Sequence, residues 1–119
     1  MDHWIKTKPL SANKMYYNVG RHKKKRAEYL AYQNDIRDQL MGTEWPFSTE
    51  EVSFFVHAGV STRAADLDNL IKPLLDTYQN IFDDFNDNKV YHIELNKKIV
   101  PKGEEYIAVK VEQHEERLP

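Results

Sequence analysis

The stretch RAADLDNLIKPLLD, residues 63–76, sets Asp66 and Asp68 one residue apart, follows them with Asn69, and places Lys72 and Asp76 at successive four-residue steps from Asp68. Carboxylates this close offer hard oxygen ligands to an ion such as Mg²⁺ or Mn²⁺, and a lysine beside them can meet the oxygens of a phosphate. A centre of that kind keeps few protein ligands, so that substrate and water complete the shell, and three aspartates are enough. The third must come from elsewhere. DDFNDN, residues 83–88, supplies Asp83, Asp84 and Asp87 about one helix length later. A purely local account also exists: Asp68 or Asn69 caps a helix, Lys72 and Asp76 form an exposed pair worth a few tenths of a kcal/mol (~0.3), and the later acids solvate a turn. It treats each residue separately and leaves their common placement unexplained.

Positioning these groups requires particular elements. Pro73 breaks a helix interior but is tolerated in the first turn, which predicts a helix start within the four preceding residues and an extended D-L-D-N segment. In extended chain Asp66 and Asp68 point the same way while Leu67 faces the core. Apolar residues at 67, 71, 74, 75, 78, 81 and 82 then mark a helical stripe. Upstream, Trp4 to Lys6 reads as a short strand, Pro9 to Gly20 as loop, and Arg21 to Met41 as helix ended by Gly42. VSFFVHAGV after the turn-rich GTEWPFST is rich in β-branched and aromatic residues and reads as a strand. Val90 to Val100 and YIAVKVE both alternate and predict an antiparallel hairpin. The order implies one α+β domain over residues 1–119, a mixed or antiparallel sheet with two main helices packed on it.

Composition narrows the classes. There are no cysteines, which excludes disulfides, thiolate metal sites and thiol nucleophiles. MDHWIKTKPL has no signal core and no run approaches membrane-spanning length, so a cytoplasmic protein without membrane partners is expected. The net charge of −2 hides an asymmetry: residues 1–49 hold nine Lys/Arg against five Asp/Glu, and residues 50–119 hold eight against fourteen. RHKKKR at 21–26, preceded by Tyr16 and Tyr17, is the expected phosphate-tracking surface. His57 and His92 are expected at the surface, opposite the apolar faces of their strands. A calcium loop starting at Asp84 fails, because Lys89 stands where glycine is needed and Leu95 where a bidentate glutamate belongs.

The pattern Asp-x-Asp-Asn-x-x-Lys-x-x-x-Asp, present as Asp66, Asp68, Asn69, Lys72 and Asp76 and followed by Asp87, resembles that of the RusA family of Holliday junction resolvases of bacteria and their phages. The upstream Pro-x-Ser-x-Asn-x-x-Tyr, here Pro9, Ser11, Asn13 and Tyr16, extends the resemblance over nearly the whole chain. It implies a RusA-like fold and a homodimeric, Mg²⁺-dependent endonuclease, with Mn²⁺ as a substitute, that resolves four-way DNA junctions by paired symmetric nicks in recombination and repair. Asp66, Asp68 and Asp87 are then the catalytic metal ligands, Lys72 a catalytic residue, and Asn69 and Asp76 supporting residues. The expected DNA-facing set is Asn13, Tyr16, Arg21, Lys23, Lys24, Lys25, Arg26 and Arg63, in the cytoplasm of a bacterial or phage-infected cell. A two-fold dimer suits a junction with two equivalent scissile sites. The alternatives are a less selective nuclease of branched DNA and a non-catalytic DNA-binding or packaging accessory protein.

Overall fold

VSFFVHAGV becomes the centre of the structure because its inward residues Val52, Phe54, Val56, Ala58 and Val60 are all apolar and all buried. The computed structural model describes residues 1–115. In chain order it contains strand β1 (Asp2–Ile5), a 3₁₀ turn (Ala12–Lys14), strands β2 (Tyr16–Val19) and β3 (His22–Lys25), helix α1 (Ala27–Gln39), strand β4 (Val52–Val60), helix α2 (Asp68–Ile81), a second 3₁₀ turn (Asp87–Lys89), and strands β5 (Val90–Ile99) and β6 (Tyr106–Gln113). The main sheet has the order β1-β6-β4-β5, and β2 and β3 form a separate two-stranded ribbon. This is the α+β domain expected, with a mixed sheet: β4 is antiparallel to β6 and parallel to β5.

One face of the sheet carries the core. Phe54, Val56, Val109 and Val111 pack with Tyr29, Tyr32 and Ile36 of α1 and with Leu74 and Tyr78 of α2. Each such side chain, fully buried, contributes roughly 1.5–3 kcal/mol relative to exposure. The other face is left open, with Trp4 66% exposed. There the Tyr106 ring crosses Gly59, where a side chain would collide with it. Trp4 stacks on that ring at 4.1 Å between centroids. Among the described residues no helix is long and apolar enough to cross a membrane.

Three expectations are corrected. First, β5 and β6 do not form a hairpin, because β4 inserts between them. Their residues alternate correctly, but β4, whose inward face is buried along its whole length, takes the central place, and the chain from β5 to β6 passes the end of β4, where Val100 N donates to Val60 O at 2.8 Å. Second, RHKKKR is not helical. Gly20 at φ +60° begins a two-residue turn between Val19 and His22, so Tyr16–Val19 and His22–Lys25 pair as a ribbon and helix starts only at Ala27. A glycine-first two-residue turn suits the twist of such a pair. Third, α2 starts at Asp68 and Pro73 lies inside it. Asn69 N to Asp66 O (3.2 Å) and Leu70 N to Leu67 O (3.0 Å) open it as a tight turn. Pro73 forfeits one backbone hydrogen bond, and its full burial offsets part of that loss.

The direction of α2 matters most for function. Its first turn packs Leu70 with Ala58 and Val60 at the far end of β4. Further along, Tyr78 meets Phe54 edge to face at 5.6 Å near the beginning of that strand. The helix therefore runs back along β4 and returns the chain to start β5 in parallel, as a crossover between parallel strands must.

Candidate functional site

Leu67 sits at φ −57°, ψ −48°, already helical. Successive side chains in that conformation are about 100° apart, so Asp66 and Asp68 diverge instead of sharing a side. Asp66 and Asn69 line a cleft of about 470 Å³ whose other wall includes Lys8, Asn13 and Lys14. Asp68, Lys72 and Asp76 follow one another at helical spacing on a different stripe. Lys72 Nζ lies 3.4 Å from Asp76 Oδ2, with the lysine side chain 62% exposed. The local account of this pair is thus realised, and in that mostly exposed setting it adds little to stability.

The loop before Asp66 is held from the sheet. Lys97 Nζ of β5 donates to Ala65 O at 2.6 Å and approaches Arg63 O at 3.4 Å. Ser61 Oγ donates to Glu105 Oε2 at 3.0 Å, and Gly103 N donates to Glu105 Oε1 at 2.7 Å. Hydrogen bonds from backbone amides, its own and that of Gly103, hold the Glu105 carboxyl below the usual carboxylate range, helped by Ser61. None of these tethers was among the residues singled out from the sequence. A lysine in an alternating strand carries no signal that it serves a loop more than thirty residues earlier. Arg63 enters the site through its carbonyl, its side chain being exposed.

Asp87 lies elsewhere. Its backbone N–H donates to Gln79 Oε1 at 2.8 Å, near the C-terminal end of α2. Gln79 is eleven residues beyond Asp68, about 16 Å along the helix axis. Asp83 and Asp84, exposed just after the helix, share that end. Among the described residues no group of three or more His, Asp or Glu side chains is placed to hold a metal ion. The set Asp66, Asp68 and Asp87 therefore does not fit an ion within one chain. The turn folds back toward β5, and the crossover carries it away from the helix mouth.

The basic segment is well placed. Residues 3–27 hold eight Lys/Arg and no Asp/Glu. The ribbon of β2 and β3 carries Arg21, Lys23, Lys24 and Lys25, all exposed, together with Tyr16 and Tyr17 at 39% and 45% exposure. Its base is anchored: Lys25 Nζ donates to Gln33 Oε1 at 2.9 Å and lies 5.4 Å from the centroid of the Tyr29 ring, and Arg26 Nε donates to Tyr16 O at 3.1 Å. Strand pairing puts Tyr17, Val19, His22 and Lys24 on one ribbon face and Tyr16, Asn18, Lys23 and Lys25 on the other. The ribbon springs from beside the acidic helix mouth, since the 3₁₀ turn before it packs on α2.

His57 and His92 are exposed on the open face, as expected. That face holds a cleft of about 570 Å³ between Trp4, His57, Glu94 and Lys110, which touches none of the aspartates discussed. No family model and no curated protein matches the chain.

Proposed function

We propose that this chain is an endonuclease of branched DNA, resolving four-way junctions in the manner of the RusA family that its motifs resemble. The observation that carries the reading is the acid-free basic ribbon rising beside a helix mouth whose cleft joins Lys8, Asn13 and Lys14 to Asp66 and Asn69. Cations on the ribbon attract phosphates and release counterions, while a two-stranded ribbon is narrow enough for the DNA major groove. Lys72, exposed on the flank of the mouth, supplies a positive charge to a phosphate seated there once it leaves Asp76. Within one chain the three aspartates do not close around an ion, so no chemical step is assigned to Mg²⁺ or Mn²⁺.

That dispersal favours a second reading, a branched-DNA-binding accessory protein without cleavage. The two are separated by strand-resolved cleavage of a synthetic mobile four-way junction with Mg²⁺ and with EDTA, using wild type and Asp68→Asn, and a fork and a linear duplex as competitors. Paired nicks that require both Mg²⁺ and Asp68, and that occur on the junction alone, support the resolvase. Nicks on every branched substrate leave a less selective nuclease, and tight junction binding without nicks leaves the accessory protein. The ribbon is tested separately: Lys24→Ala should weaken binding to all branched DNAs alike and lower the salt slope of binding by about 1.

A further inference from the structure

We infer that the open face of the sheet is a docking surface for an extended segment of another protein carrying two arginines four residues apart, one stacked on Trp4 and paired with Asp2, the other paired with Glu94. This face lies away from the two helices, and its cleft shares no residue with the acidic helix mouth.

Two neighbouring rows of side chains build the cleft of about 570 Å³. Strand register sets Trp4, Ala108, His57 and Asn96 side by side across β1, β6, β4 and β5. The next row is Asp2, Lys110, Phe55 and Glu94. Residues two apart on a strand share a face, so both rows point away from the helices. Ala108 is the smallest member of its row and stands between Trp4 and His57, which makes the hollow. The wall at Trp4 is pre-set: Gly59 lets the Tyr106 ring lie against the sheet, and that ring stacks on Trp4 at 4.1 Å between centroids and 17° between planes. Trp4 still borders the cleft. A ring held in place before binding loses little freedom when a ligand stacks on it.

The charges select the ligand. Asp2 and Glu94 face the cleft with one ammonium, Lys110, and Glu112 Oε1 holds that ammonium at 3.0 Å from two residues further along the strand. Lys98 shares the face but stands beside Gly59, outside the cleft. The Glu94 side chain is 59% exposed, with His92 Nε2 at 3.4 Å. A phosphate backbone therefore meets two carboxylates there and, among the described residues, no lysine or arginine free of an acid. A guanidinium meets an indole and a carboxylate two residues apart on β1. Arginine suits this pair better than lysine, because its plane stacks on a ring while its fork meets a carboxylate.

Spacing sets the pattern. Asp2 on β1 and Glu94 on β5 are three strand spacings apart, about 14 Å. An extended segment crossing the strands covers about 13 Å in four residues and turns alternate side chains to one side. Its first arginine then lies on Trp4 and Asp2, its last reaches Glu94, and the side chain midway between them enters the hollow over Ala108. The class recognised is Arg-x-apolar-x-Arg.

The wild-type chain is titrated with acetyl-Arg-Gly-Val-Gly-Arg-amide by calorimetry and by tryptophan fluorescence. Trp4 responds in the second readout, and Trp45, packed with Phe47, Phe82 and Phe85, gives a constant background. Citrulline, a neutral isostere, in place of both arginines should weaken binding at least about tenfold. Bringing the arginines together as Arg-Arg-Val-Gly-Gly should weaken it at least about threefold. Glu94→Gln and Asp2→Asn should each weaken it about three- to tenfold, with thermal unfolding unchanged because both side chains are exposed. Equal affinity for the citrulline peptide overturns the charge assignment, as does tighter binding of spermidine or of a thymidine oligonucleotide than of the arginine peptide. Equal affinity for the two spacings overturns the four-residue register. A chain that gives neither heat nor a fluorescence change at millimolar peptide has no such docking surface, whatever it does to branched DNA.

Discussion

Strands β4 and β5 lie side by side in parallel with nine paired positions, yet they have opposite fates. Val52 and Phe54 of β4 are fully buried, whereas β5 exposes Tyr91, Ile93 and Ile99 at 55%, 40% and 46%. The helices account for the difference: the buried cluster draws Tyr29, Ile36, Leu74 and Tyr78 over β4 and β6, and from β5 it takes Val90 and Leu95 only as partly buried neighbours. Burial of β4 is thus satisfied by the helices, and β5, the edge strand among the described residues, keeps half-exposed apolar side chains. Stability is concentrated in one strand, while its neighbour stays largely exposed.

The largest effect expected from that contrast is on unfolding. Phe54→Ala should cost about 3–5 kcal/mol, because it empties a fully buried site between Tyr78 and Phe85. Ile93→Ala should cost less than about 1 kcal/mol, because that side chain is 40% exposed. Urea unfolding of both variants reads this. An Ile93→Ala loss as large as that of Phe54→Ala would make β5 part of the core and erase the contrast.

A smaller effect probes the open face. Gly59 of β4 and Lys98 of β5 are opposite each other, but only at Gly59 would an added Cβ run into the Tyr106 ring. Gly59→Ala should destabilise by about 1–3 kcal/mol as the stack of Trp4 on Tyr106 is displaced. Lys98→Ala should stay within about 0.5 kcal/mol. Thermal unfolding with tryptophan fluorescence follows both, since Trp4 reports the stack directly. Equal losses at the two positions would mean that strand pairing, not the ring over Gly59, sets the constraint.

Much of this was legible in the sequence, and the misses have specific causes. Alternation in VSFFVHAGV, β5 and β6 identified the three long strands, and the apolar stripe from Leu67 to Phe82 identified α2. Periodicity does not say which strands are neighbours, so the β5–β6 hairpin was expected where β4 intervenes. RHKKKR looked helical because lysine and arginine are good helix formers, and the turn residue Gly20 outweighed that propensity. Pro73 suggested a later helix start than the one observed, since burial of Pro73 and Leu74 outweighs one lost hydrogen bond. The acidic positions were legible as types. Their convergence was inferred from chain distance, and the direction of a parallel crossover decides it the other way.

The smallest effect tests whether β5 serves the site by position alone. Lys97 is exposed, so Lys97→Met should change stability by less than about 0.5 kcal/mol. Its ammonium nevertheless holds Ala65 O at 2.6 Å, one residue before Asp66. Loss of that donor frees the loop without removing a ligand or a core contact. Amide hydrogen exchange over residues 63–66 should therefore accelerate in Lys97→Met, while exchange in β4 is unchanged. Lys97→Arg, which keeps a charged donor on a long stem, should bring the loop back toward wild-type protection. If exchange in β4 rose together with the loop, Lys97 would be a general support of the sheet. If only the loop responded and arginine rescued it, the exposed strand would be shown to order the acidic segment from outside the core, a task for which β4, with its inward face wholly buried, has no side chain on that side.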